Sequence, residues 1–565
     1  MRLCVLAALL ALVGCGVPDP HGSEAADGET GDGSETGGDS ETGDGSETGE
    51  PEPIQSFPDI DLDEWCDVES PPLSVVDTHL VQYGVEDIGP CGHVVSKTRV
   101  DDVTEMRLTM PDGSSKPLPF HPAWPKFDVT GRQLLLHGPS GNDLELHDLA
   151  TGTFRSFDFV EANAHGFVRS AADPEQPTVA WLVDRDARLL KVTVEQTTEL
   201  MTDVLSPYAV AGSLGNNKVL TVRGAQMYVI DVDSGEALPT EVDDFYIGYT
   251  PNGEKRWDGL RIDYSGSLGM HELSVLVPSE FDPEGEYQQI EDRVIDLHSG
   301  EVVAVCDWTT RLLQAPTEKA PSFVLCNQQV LVWLDGELEL VSEGPVHEIV
   351  LSDSGTLVFT INIGQGRELV RVGAEAPTLV EPIAMVESGE PSVSANGQVI
   401  AHSNPTDVCA DAMCTQYLHE LIVWTADAGV ASPTSWAGPA QIRLVLDDGT
   451  VLLRGIPVEG PIDGPLPEPA LWSIAADGHA TAWEFSEEQF AEFSGIQQLA
   501  DGRLLVLSTP SDFGLTSLWT IDLTTTDDPI HIFGPAGGTF HGWFLDGQRR
   551  RVAFGAESEL YFGQL

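Results

Sequence analysis

Three His-Glu pairs are the first residues whose types could do chemistry: "HELSV" at His271, "HEIVL" at His347 and "HELIV" at His419. A histidine beside a carboxylate is raw material for metal ligation or proton transfer. A zinc-protease helix needs a second histidine four residues on, and none of the three has one. Their surroundings are apolar and β-branched, so they read as polar positions at strand starts. The serine elbow GxSxG is missing, and no Gly-Lys pair exists to build a phosphate-cradling loop. "DIDLDEWCDVE" at 59–69 alternates acids as a calcium loop would but lacks the central glycine, so it reads as a solvated lead-in. No catalytic residue, cofactor-binding residue or metal ligand is assigned.

The chain of 565 residues carries 91 acids against 28 bases. Residues 1–65 hold 16 of the acids and one base, which leaves 75 acids against 27 bases in the remainder. Such a surface repels nucleic acid and anionic lipid headgroups, and attracts cations or basic proteins. The triplet Arg549-Arg550-Arg551 is conspicuous against that background and is expected to pair with nearby acids. Calcium is a conceivable partner on acidity alone.

The elements that position these residues begin at the N-terminus. Arg2 is followed by an apolar run, Leu3 to Val13, too short to cross a bilayer, which takes about 20 residues. It ends Leu12-Val13-Gly14-Cys15, and this resembles the lipobox of bacterial lipoproteins. The resemblance implies a signal peptide over 1–14, acylation of Cys15, and an outer-membrane destination, because Gly16 rather than Asp follows the cysteine. Residues 15–58 repeat GDGSETG at 31–37 and 43–49 and hold no aromatic residue before Phe57. They cannot bury a core and read as a disordered acidic linker. In an exported chain the six remaining cysteines suggest disulfides. Proximity favours Cys66–Cys91, Cys306–Cys326 and Cys409–Cys414; with no CxxC pair, zinc is not expected.

From residue 59 onward short apolar runs alternate with turn residues, and helical periodicity is almost absent. "PKFDVTGRQLLLHGPSGNDLELHDLATGTFRSFDF" splits into four strands over roughly 40 residues, the size of a propeller blade. A turn recurs at "HDLATGT", "IDVDSGE" and "IDLHSGE", with "WTIDLTTTD" as a degenerate copy. There Asp caps the turn and Gly takes the left-handed backbone position. A second turn recurs at Asn252-Gly253, Asn396-Gly397, Asp448-Gly449, Asp501-Gly502 and Asp546-Gly547.

These repeats resemble the TolB-like, YVTN-like and quinoprotein-type propellers of bacterial envelopes. The resemblance implies an all-β β-propeller of about eleven units. The last unit stops after three strands, and an N-terminal strand within "LSVVDTHLVQYG" is expected to complete it. Eleven exceeds the usual four to eight blades. Two tandem rings, 59–308 and 309–565 with a boundary near 309–346, are therefore preferred over one large or insertion-bearing ring. Residues 254–290 and 403–418 read as insertions. The turn at Asp148, Thr151 and Gly152 is quinoprotein-like, but Phe154 and Phe157 stand where a docking tryptophan would, so no quinone is expected. "DSGT" at 353–356 is read as a turn, and Trp124, Trp181, Trp333, Trp424, Trp472 and Trp519 as packing between blades.

The function expected is an envelope lipoprotein, membrane-bound through its lipid, whose propeller binds or scaffolds a partner protein or polysaccharide, without nucleic acid. The alternative is a lyase or glycan hydrolase acting at the channel mouth, for which the sequence names no residues.

Overall fold

A computed structural model describes residues 68–565 apart from short connecting segments, the longest being 278–285, 459–469 and 484–491. Cys15, Cys66, Trp124, Asn252-Gly253 and nearly all of the acidic lead-in fall outside the described residues. Residues 51–565 form one compact unit. Among the described residues every regular element is a strand, and the strands form eleven antiparallel sheets.

Blade 1 shows the plan: Leu80–Ile88, Val94–Val100, Val103–Thr109 and Ser115–Pro117 pair in chain order. Blades 2 to 10 follow over 126–157, 160–201, 210–239, 247–306, 311–342, 346–386, 392–437, 441–483 and 492–536. Blade 11 takes three strands from 540–564 and its fourth, outer strand from Ser74–Asp77, which pairs with Glu559–Gln564. The N-terminal strand therefore completes the last unit, as the sequence predicts, and removes the open edge a linear array would leave.

Two-residue periodicity explains why the second strands read as unbroken apolar runs. Successive side chains point to opposite faces of a sheet, and in a propeller each face meets a neighbouring blade. Leu134 and Leu136 pack toward blade 1 while Leu135 packs toward blade 3. Val219 and Leu220 divide between blades 3 and 5, and Phe323 and Val324 between blades 7 and 5. The same division repeats at Val399 and Ile400, at Leu504 and Leu505, and at Val552 and Ala553.

Each successive pair of blades shares one such apolar cluster, and blade 11 shares the last with Leu80, Val85 and Val94 of blade 1. The clusters thus run as one closed circuit of eleven blades. The boundary preferred near 309–346 is not a seam: blades 5 and 6 share Leu268, Val294 and Val324. The Cys306–Cys326 disulfide also joins them. Large rings close when each interface supplies its own apolar burial, which is why the blade count alone misleads.

The recurrent turns behave as their residues require. The Asp148 carboxylate accepts from Thr151 N–H, that of Asp231 from Ser234 N–H and that of Asp296 from Ser299 N–H. Gly152, Gly235 and Gly300 follow at φ of 69, 73 and 79°. Phe157 packs into the cluster joining blades 2 and 3, so a phenylalanine does the docking there. The two expected insertions are elongated hairpins within blades: Leu268–Val277 with Glu286–Asp296, and Val399–Cys409 with Tyr417–Thr425. Cys91 and Cys409 are also disulfide-bonded, with partners outside the described residues.

The arginine triplet divides its roles. Arg551 is buried between blades 11 and 1 and donates to Asp546 at 3.0 Å and to the Cys91 carbonyl at 2.9 Å. It also donates to Ser70 Oγ and to the Val68 carbonyl. One guanidinium therefore ties the N-terminal lead-in, the first blade and the last blade together.

Candidate functional site

First strands of neighbouring blades contact one another, as between blades 11 and 1, 3 and 4, 7 and 8, 8 and 9, and 9 and 10. First strands therefore line the axis, and residues on them are the ones a ligand in the ring would meet. Among the described residues, the cavities that open in this wall include the following two.

The first, of about 430 Å³, lies across blades 1 to 4. Asp87 comes from the first strand of blade 1, Lys126 and Phe127 from that of blade 2, His165 to Phe167 from that of blade 3, and Val210 to Gly212 from that of blade 4. The Asp87 carboxylate accepts from Ile88 N–H at 2.8 Å. Burial pushes its pKa up to about 6 against that hydrogen bond, and neighbouring Glu86 raises it further. Lys126 Nζ donates to the His165 carbonyl at 3.0 Å, its side chain open to the cavity. The enclosing wall lowers its pKa, and no carboxylate among the described residues pairs with it. The buried His165 faces His137 edge to face, Nε2 to Nε2 at 3.2 Å. Burial first, then Lys126 and His137, push its pKa down to about 2, so it stays neutral.

Trp181 forms the floor. Its strand partner is Gly166, and its indole edge reaches Gly212 of blade 4. A Cβ on Gly166 would lie 3.2 Å from the ring and one on Gly212 2.7 Å from Nε1. At Gly212 a Cβ would force the indole or the backbone to shift, and at Gly166 it would press on the ring. Trp181 is 5% exposed, and its Nε1–H, itself buried, has no hydrogen-bond partner among the described residues.

The second cavity, of about 530 Å³, lies across blades 7 to 9, lined by Ser388 to Val393, Ser403, His419 and Gln441 among others. Ser403 Oγ accepts from Ala440 N–H at 3.2 Å and stands 3.4 Å from His419 Nδ1. Burial lowers the His419 pKa, which keeps the ring neutral and able to accept. Behind the wall Glu348, at φ of 37°, accepts from Thr360 Oγ1 at 2.7 Å and from Arg367 at 3.0 Å.

The structure separates the three His-Glu pairs. His271 is buried in blade 5, 2.9 Å from Asp258, which also takes Arg256. His347 meets Asn362 on blade 7, and His419 faces the second cavity. Among the described residues no group of three or more His, Cys, Asp or Glu converges as a metal requires. Gly355 of "DSGT" closes a strand turn at φ of 89°. Trp181 and Trp519 are buried in sheets, and Arg371 lies 5.4 Å over the Trp424 ring.

Sequence reasoning missed Asp87, Lys126 and His165. They come from three blades, each inside an ordinary strand, so no local spacing joins them. The only signal was the scarcity of lysine, seven in the whole chain.

No family model and no curated protein matches the chain. Among solved structures, a Porphyromonas gingivalis dipeptidyl peptidase 4 aligns at 11% identity and TM-score 0.37, covering 86% of this chain and 67% of that one. The Dos1 propeller aligns at 11% identity and TM-score 0.33, covering 63% of this chain and 91% of that one. A eukaryotic initiation factor aligns at 9% identity and TM-score 0.32, covering 69% and 95%. The fold is a β-propeller on the sheet topology and closure described above.

Proposed function

We propose that this chain is an exported, lipid-anchored propeller of the outer membrane that binds or scaffolds an envelope protein or polysaccharide. The lipobox-like end at Cys15 and the acidic linker to residue 58 support the anchor and the reach. The observation that carries the binding role is the pair of projecting hairpins. Their strands run 9 to 11 residues, against 5 or 6 for the middle strands of blades 2, 4 and 6. One joins the third and fourth strands of the five-stranded blade 5, the other the second and third strands of blade 8. Val408 and Tyr417 are about half exposed on the one in blade 8, an apolar pair at a tip where a solvated loop has no use for it.

A lyase or glycan hydrolase reading finds less support. Glycoside hydrolysis usually uses two facing carboxylates, and the first cavity offers Asp87 while the second offers Glu390.

The test is photocrosslinking in intact cells, with a benzophenone side chain placed at Val408 or Tyr417. One dominant adduct, lost when the probe moves to exposed Ile530 on blade 10, supports a docking face. Equal labelling from all three positions, or none, refutes it. Separately, Cys15→Ser is expected to move the protein to the soluble fraction.

A further inference from the structure

We infer that the cavity across blades 7 to 9 is a binding site for the neutral sugar units of a polysaccharide, held by Glu390, Ser403, His419 and Gln441. The inference deepens the function proposed above and rests on its polysaccharide arm, because the cavity lies at the foot of the blade 8 hairpin. Ser403, Pro405 and His419 belong to the two strands of that hairpin.

Three observations converge. The first is a mixed set of accessible donors and acceptors. Glu390 and Gln441 are exposed, and Ser403 and His419 are partly buried, so all four can meet a ligand. Glu390 offers two acceptor oxygens. Gln441 Oε1 accepts from Arg443 at 2.8 Å, which leaves the Gln441 amide nitrogen to donate. The Ser403 hydroxyl and the neutral His419 ring each bring a donor and an acceptor. The second observation is that these groups are held in place. Glu387 N–H donates to Asn404 Oδ1 of blade 8 at 2.8 Å, which pins the segment that carries Glu390. Gly389, at φ of 117°, passes so close to blade 8 that a Cβ there would lie 2.8 Å from the Ser403 carbonyl oxygen. Ala440 N–H, bound to Ser403 Oγ at 3.2 Å, brings blade 9 to the same point. The third observation is reach. The volume of about 530 Å³ lies within the range of small-molecule pockets. Tyr417, about half exposed, stands two residues before His419 on one strand. Strand alternation puts both on one side, about 7 Å apart, so the next ring of a polymer would meet the Tyr417 face.

The wall selects the class. A sugar hydroxyl donates and accepts at once, and so does this lining. An anion would face Glu390 with no Lys or Arg among the described lining residues. A cation would use Glu390 and leave the Gln441 donor unmatched, and an apolar ligand would bury all four groups unpaired. Val350, Pro405 and Ile442 give the C–H face of a sugar ring its apolar contact. With Glu390 as its one carboxylate, the cavity holds a sugar rather than cutting it.

The experiment uses the full chain without its signal peptide and with Cys15→Ser. It is applied to an array of immobilised neutral hexose and N-acetylhexosamine oligosaccharides, with uronate-bearing oligosaccharides beside them. A neutral oligosaccharide is expected to be retained more strongly than any uronate-bearing one. Calorimetric titration with that oligosaccharide is expected to show a loss of at least about tenfold in affinity for Glu390→Gln and for Gln441→Leu. Tyr417→Ala is expected to weaken the tetrasaccharide while leaving the disaccharide unchanged, and Ile530→Ser on blade 10 to change neither. Melting curves of each variant confirm that it folds. Retention of no neutral oligosaccharide overturns the inference, and stronger retention of uronate-bearing ones overturns the neutral class. Unchanged affinity in both Glu390→Gln and Gln441→Leu overturns the location. A dominant protein adduct from Val408 or Tyr417 with an empty array overturns this site and leaves the docking hairpin standing; failure of both experiments overturns both readings.

Discussion

Ring closure makes a sharp prediction at the Asp546–Arg551 pair. Both side chains are nearly inaccessible, at 0% and 3%, and the guanidinium spans them, Cys91 of blade 1 and the lead-in at Val68 and Ser70. Asp546→Asn keeps the size and one acceptor oxygen but leaves the Arg551 charge buried without its anion. Breaking a buried pair in this way costs about 3–5 kcal/mol. Arg551→Met removes the charge and the strap together, leaving Asp546 its hydrogen bond from Arg550 N–H at 2.7 Å. Because the two residues share one interaction, the double variant Asp546→Asn/Arg551→Met is expected to lose less than the sum of the singles, by at least 1.5 kcal/mol. Denaturant unfolding gives the energies. Limited proteolysis locates the damage, since Ser74–Asp77 is the strand that closes blade 11. In Asp546→Asn, cleavage near residues 68–77 is expected to precede cleavage elsewhere. A loss under about 1 kcal/mol with unchanged proteolysis would refute the view that this pair locks the ring.

Other predictions follow the same chemistry. Asp87 has a folded pKa of about 6 against an unfolded 3.8, so its contribution is complete below about pH 4 and lost as pH rises through 6. Asp87→Asn, which can still accept from Ile88 N–H, is expected to match the parent at pH 4 and exceed it by about 2 kcal/mol at pH 8; coincident curves at both pH values refute the shift. Replacing Cys306 and Cys326 by Ser opens a crosslink of sequence separation 20 between blades 5 and 6. It is expected to cost about 3 kcal/mol in unfolding experiments, and the parent under reductant should lose at least as much, since Cys91 and Cys409 are disulfide-bonded too. Gly166→Ala places a methyl 3.2 Å from the indole and is expected to destabilise by about 1–3 kcal/mol, with a change in near-ultraviolet circular dichroism from Trp181.

Much of the fold is legible because a propeller is built from local rules repeated. Asp148, Asp231 and Asp296 announce their turns, and "RQLLLHG" or "TVAWLVD" announces a strand buried on both faces. The unfinished last unit announces that another strand must complete it. The ring count was not legible. Whether blade 6 leans on blade 5 or starts a new circuit depends on which face Val324 and Phe323 present, and both are equally apolar. The first cavity was not legible either. Lys126 sits in "PKF" and His165 in "NAHGF", 39 residues apart, and each local sequence satisfies an ordinary inner strand.

By itself, then, the sequence determined what short-range physics determines. That covers strand periods, capped turns, the acidic surplus, the closing strand and the pairing of Cys306 with Cys326. The tertiary structure alone decided how many blades share one axis, which arginine became the lock, and which four first strands bring Asp87, Lys126, His165 and Gly212 to one wall. Those outcomes depend on contacts between residues tens to hundreds of positions apart, set by the summed packing of eleven interfaces that no local motif encodes.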